Sequence, residues 1–198
     1  MEFSEHLPWK SRGYLPHVDA VGELQMITYR LADSLPRSEI KKLMLELESH
    51  PEKVRSRVSR RRVEALLDSG LGCCALGHPE VAKVVEDTFL KFDSEKYELL
   101  HWCIMPNHVH VLIRPHISLG LILQSWKSYT GRWALQHNER LGLGVPEESF
   151  WMREYWDRFI RNLEHFENAA SYIRMNPVNA RLCAKPEDWR WGSAWSGR

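Results

Sequence analysis

Two pairs of residues in this chain have types and spacings that could do chemistry. His108-Val109-His110 places imidazoles at i and i+2, and on a β-strand those positions project from one face. Two neutral imidazoles on a rigid strand form half of a divalent-metal site, although a bare H-x-H also arises by chance. Tyr172 and Asn176 stand at i and i+4, so on a helix they share a face one turn apart. The amide oxygen can complete a metal site and the phenol can be a nucleophile. A half-buried tyrosine beside a helix-ending Asn-Pro fits the same residues.

Two further segments carry charge in a suggestive pattern. The stretch 150–161, FWMREYWDRFIR, interleaves arginines with aromatic rings. That composition suits phosphate contact with base stacking on a single strand, and equally a core strand with a charged outer face. Lys127 and Arg132 on the preceding helical segment could extend the same surface. Residues 55–62 hold five arginines, which could meet phosphates or simply form a solvated helix face.

The elements that must position these groups are legible in outline. An N-terminal arm, 1–22, reads as irregular, with Pro8, Gly13, Pro16 and Gly22. Glu23–Leu31 is strand-like. Arg37 to about Ser69 has helical periodicity, interrupted at Pro51. Pro79 begins a helix that runs to about Phe92. Tyr97–Met105 and His108–Arg114 form a hairpin about Pro106-Asn107. Leu119–Asn138 is an amphipathic helix. Phe150–Ile160 contains a short strand, and Leu163 to about Met175 is a helix ended by Asn176-Pro177. The tail, 178–198, packs its tryptophans back on the core. Strands alternating with helices around one hairpin predict an α+β sandwich, an antiparallel or mixed sheet with helices packed on it.

The bulk numbers set bounds. A chain of 198 residues predicts one domain. With 43% hydrophobic and 27% charged residues it reads as an ordinary globular protein, not as a disordered, collagenous or membrane chain. The net charge is +1, but residues 1–100 hold 15 basic and 17 acidic side chains against 12 and 9 in 101–198. Eight of the nine tryptophans also follow residue 100. The acidic start carries no secretory pattern, no run approaches a membrane span, and the cysteines (73, 74, 103 and 183) form no framework. A cytoplasmic protein with reduced thiols is expected.

Met105-Pro-Asn-His-Val-His-Val-Leu112 resembles the "MPNHVH" segment of single-tyrosine HUH transposases, above all the REP-associated tyrosine transposases. Further segments are similar in family order: 12–17 (RGYLPH), 28–33 (TYRLAD), 125–128 (SWKS), 151–157 (WMREYWD), 172–178 (YIRMNPV) and 186–189 (PEDW). Together they span nearly the whole chain, with the helical stretch 37–69 the insertion-like part. The resemblance implies a ferredoxin-like core. It implies His108, His110 and Asn176 as ligands of Mg²⁺ or Mn²⁺, and Tyr172 as the nucleophile that leaves a 5′-phosphotyrosine and a free 3′-OH. It also implies a single-stranded or hairpin DNA partner of REP-like palindromic type, handled by a monomer or homodimer. Lys127, Trp151, Arg153, Trp156 and Arg158 are the candidates for holding that DNA.

Several alternatives stay open on the sequence. Tyr155 competes with Tyr172 for the nucleophile role, and His165 is the sequence's candidate for the proton acceptor. The same scaffold could bind hairpin DNA without cutting it, or the histidines could serve a water nucleophile without a covalent intermediate.

Overall fold

In the computed structural model the described residues are 9–11, 16–18, 20–146 and 149–197. Strand β1 (Trp9–Ser11) pairs antiparallel with β2 (Pro16–Val18), so the N-terminal arm holds a small hairpin where no regular structure is expected. Most of the 12–17 motif lies outside the described residues.

The main sheet has four antiparallel strands. They are β3 (Gln25–Arg30), β4 (Tyr97–Ile104), β5 (His108–Pro115) and β6 (Trp156–Phe159), in the order β4-β5-β3-β6. With helical crossovers between β3 and β4 and between β5 and β6, this is the ferredoxin-like α+β sandwich expected. Strand β5 is central and covered on both faces, which is why HVHVLIR lacks an outward polar row.

One face is the larger core. Val109, Val111 and Ile113 of β5 and Ile27 and Tyr29 of β3 pack under α3 (Pro79–Lys91) and α4 (Leu119–Gln136). Val85, Phe89 and Trp126 lie at its centre, with at most 1% of their surface exposed. Each such side chain contributes about 1.5–3 kcal/mol by leaving water. The Trp126 indole N–H donates to the Tyr97 hydroxyl, which donates to the Phe89 carbonyl, so the buried polar atoms are partnered.

The opposite face carries His108, His110 and Leu112. It is covered by α6 (Leu163–Asn179) through Ala169 and Ile173. Helix α6 outruns its expected end and continues through Asn176-Pro177. Pro177 falls in the last turn, where its missing N–H costs a single ladder bond, and the Asn176 and Pro177 carbonyls still accept from Ala180 and Leu182.

The stretch 37–69 is two helices, α1 (Arg37–Glu48) and α2 (Glu52–Asp68), divided at Pro51. Val63 and Leu67 of α2 close a small core with Leu35. A tight junction follows: Gly72 has φ +87°, and a Cβ there would lie 2.9 Å from Asp33. The Asp33 carboxylate in turn accepts from the Cys73 N–H at 2.6 Å. Among the described residues no helix is long and apolar enough to cross a membrane.

As expected, the tail folds back. It caps the outer edge of β4: the Ile104 N–H donates to the Trp191 carbonyl, Ser193 N–H to the Trp102 carbonyl, and the Trp189 indole to the Ile104 carbonyl. An edge that would otherwise offer free backbone groups is thereby filled.

Candidate active site

The β3–β5 register sets Thr28 opposite His110 and Arg30 opposite His108, all on the α6 side of the sheet. His108 and His110 are 1% and 2% exposed, and their Nε2 atoms are 3.0 Å apart. Their orientations are fixed from behind. The Asn107 amide donates from Nδ2 to the carbonyls of Leu67 and Leu71, both at 3.0 Å. Its Oδ1 must therefore face His108 Nδ1, 2.8 Å away, and an oxygen can only accept. His108 thus carries its proton on Nδ1 and a lone pair on Nε2. His110 Nδ1 bonds the Thr28 hydroxyl at 2.8 Å. Burial holds both imidazoles below the ordinary histidine range, His110 at about 3, so both are neutral at physiological pH.

Helix α6 brings the second pair to the same place. The Tyr172 ring lies edge-on to His110, with centroids 5.1 Å apart. The Asn176 amide interacts with both His108 and the Tyr172 hydroxyl. Asn176 is 2% exposed, and its Oδ1 is buried without a hydrogen-bond partner. Two inward-facing Nε2 atoms and one orphaned amide oxygen are the donors a borderline or hard divalent cation takes. Two neutral imidazoles and an amide make an uncharged donor set, and no group of three or more His, Cys, Asp or Glu stands together among the described residues.

Tyr172 and His110 open onto a cavity of about 440 Å³, whose lining also includes Thr28, Arg60, Glu64, Trp156 and Arg158. Burial, and then the charges of Glu64 and Asp68, push the Tyr172 phenol above its usual range. Arg60 and Arg61 on the same helix as Glu64, and Arg158 from β6, offset the Glu64 charge.

The structure sorts the remaining sequence candidates. Trp156 and Arg158 leave β6 on the cavity side, and Trp156 is 37% exposed, free to stack. Arg153 is exposed but outside the cavity lining. Trp151 is a correction: it is 5% exposed, its ring lies 4.7 Å from Tyr29, and its indole donates to Thr130. It approaches α4 at Gly131, where a Cβ would come within 3.3 Å of the indole. Lys127 is a correction too: its ammonium donates to the Met152 and Arg153 carbonyls and pins that loop. Tyr155 packs against the core on the opposite face of the sheet, far from the histidines. His165 accepts from the Arg161 N–H at the start of α6, and burial and nearby arginines lower its pKa. Asn107, Thr28, Arg60 and Glu64 are additions. The places of Asn107 in the MPNHVH segment, of Thr28 in the 28–33 segment and of Arg60 in the arginine run gave a signal, and Glu64 had none.

The four-stranded sheet thus carries a strand-borne histidine pair facing a helix-borne tyrosine. Residues 78–176, half of the chain, match the family model described as "Transposase IS200 like", and the chain belongs to that family. Among solved structures it is similar to a REP-associated tyrosine transposase bound to a REP hairpin. The TM-score is 0.50 at 14% identity, over 92% of this chain and 81% of that one. No curated protein sequence matches it.

Proposed function

We propose that this transposase-family protein is a metal-dependent single-strand DNA endonuclease and strand transferase. It acts on hairpin DNA of REP-like palindromic type through a 5′-phosphotyrosine. The observation that carries the reading is that Tyr172 and His110 line one cavity, with His108 Nε2 3.0 Å from His110 Nε2 and the Asn176 amide oxygen buried without a hydrogen-bond partner. The structural relative described with a REP hairpin supports the choice of DNA.

Tyr172 is the nucleophile. Its oxygen bonds to the scissile phosphorus, the bond from phosphorus to the 3′ oxygen breaks, the upstream fragment leaves with a free 3′-OH, and the downstream strand stays on the protein through its 5′ phosphate. An incoming 3′-OH reverses the step, so the bond energy is conserved and strands can be rejoined. Mg²⁺ or Mn²⁺ held by His108, His110 and Asn176 would polarise the scissile phosphate and offset charge at phosphorus. Asn107 and Thr28 fix the two imidazoles so that their Nε2 atoms converge. Trp156 stacks a base beside the cavity, Arg158 and Arg60 meet the flanking phosphates, and Arg153 extends this surface. A cytoplasmic location fits a DNA substrate.

Incubation with end-labelled hairpin DNA and Mn²⁺, followed by a denaturing gel, tests the reading. A covalent protein–DNA band is expected from the wild type and none from Tyr172→Phe, which should still bind the hairpin. A nick without an adduct would point to a water nucleophile, and binding without either would leave a non-cleaving DNA-binding protein.

A further inference from the structure

Helix α2 belongs to a segment that the resemblance leaves without a role, yet it forms one wall of the active-site cavity. Val63 and Leu67 anchor it. The Asn107 amide, which fixes His108, is itself seated on the Leu67 carbonyl. With that face held down, Arg60 and Glu64, an i,i+4 pair, line the cavity together with His110 and Tyr172. The Glu64 carboxylate and the Tyr172 phenol line the same cavity, close enough for each to act on the other's proton.

We propose that Glu64 is a catalytic residue, the acceptor of the Tyr172 proton. The inference rests on the phosphotyrosine reading. As the phenolic oxygen bonds to phosphorus, its O–H bond breaks and the proton passes to the Glu64 carboxylate. The electron pair of the broken P–O bond goes to the 3′ oxygen, which takes a proton from water. When a 3′-OH later displaces the tyrosine, Glu64 returns its proton to the phenolic oxygen and the attacking hydroxyl gives its own to water.

The histidines near the site are engaged elsewhere. His108 and His110 turn their Nδ1 atoms to Asn107 and Thr28 and their Nε2 atoms to each other. His165 caps Arg161. The charged groups around Glu64 are Arg60, Arg61 and Asp68 on its own helix and Arg158 and Asp157 on β6. The arginines favour the ionised carboxylate, while burial raises its proton affinity towards that of a useful base.

The test is the single-turnover rate of adduct formation at saturating hairpin and fixed Mn²⁺. Glu64→Gln, whose thermal melt controls for folding, should be slower by about 10²–10⁴-fold with hairpin affinity unchanged. Glu64→Asp should recover part of the rate. Replacing Tyr172 by 3-fluorotyrosine, a more acidic phenol, should speed Glu64→Gln but not His108→Ala. A Glu64→Gln rate within threefold of wild type overturns the proposal. So does a slow Glu64→Gln that the fluorinated phenol leaves unchanged, which would mark a structural role. If the wild type forms no adduct, the phosphotyrosine reading has failed and this inference with it. A wild-type adduct with a fast Glu64→Gln separates the second failure from the first.

Discussion

The His108 and His110 rings meet at their Nε2 atoms, hydrogen-bonded to each other at 3.0 Å, while Asn107 accepts the His108 Nδ1 proton. Asn107→Ala would free that proton and leave the Leu67 and Leu71 carbonyls short of a donor. Loss of a partner behind a ligand typically weakens a metal site 10–100-fold, and a buried unsatisfied carbonyl costs about 1–3 kcal/mol. Mn²⁺ titration and thermal melts of the variant should show both effects. Unchanged Mn²⁺ affinity would remove Asn107 from the site.

The donor set carries no formal charge, so a bound dication would keep its charge for the substrate phosphate. Divalent metal and hairpin should therefore reinforce one another, with a coupling of about 1–3 kcal/mol, or roughly 5–150-fold in affinity. Calorimetry on Tyr172→Phe with Mn²⁺, with and without hairpin, measures it. Equal Mn²⁺ affinities in the two titrations would contradict it.

Two tryptophans five residues apart should behave oppositely. Trp151→Ala removes a buried ring and should cost about 3–5 kcal/mol of stability. Trp156→Ala should leave the melting temperature nearly unchanged and weaken hairpin binding by about 1–3 kcal/mol. Filter binding and thermal melts separate the two.

Asp68 gives a pH signature. Burial, reinforced by Glu64, raises its carboxyl to about 6 from an ordinary 3.8. Between those values the folded state holds more protons than the unfolded one, so this group's contribution to stability falls as pH rises from about 4 through 6. Asp68→Asn should melt higher than wild type at pH 7.5, and the difference should vanish below about pH 4.

The parts of the site legible in the sequence are those whose geometry is local. An i, i+2 pair on a strand and an i, i+4 pair on a helix fix their own relative directions, so His108 with His110, and Tyr172 with Asn176, could be paired without a fold. Glu64 could not, because it meets Tyr172 only once Val63 and Leu67 have packed α2 beside the sheet. Trp151 and Trp156 share one motif, and their fates diverge only because β6 begins at Trp156 while Trp151 bridges to Leu31 and fills a gap over α4. The proline rule misjudged α6 because it weighs the lost bond and not where in the helix the loss falls.

The edge-on contact between Tyr172 and His110 joins a strand and a helix of the same polypeptide. On that geometry each copy is predicted to act with its own tyrosine and histidines. In genetic terms, a copy damaged in β5 and a copy damaged in α6 should not complement: mixing His108→Ala with Tyr172→Phe protein should give no adduct at any ratio.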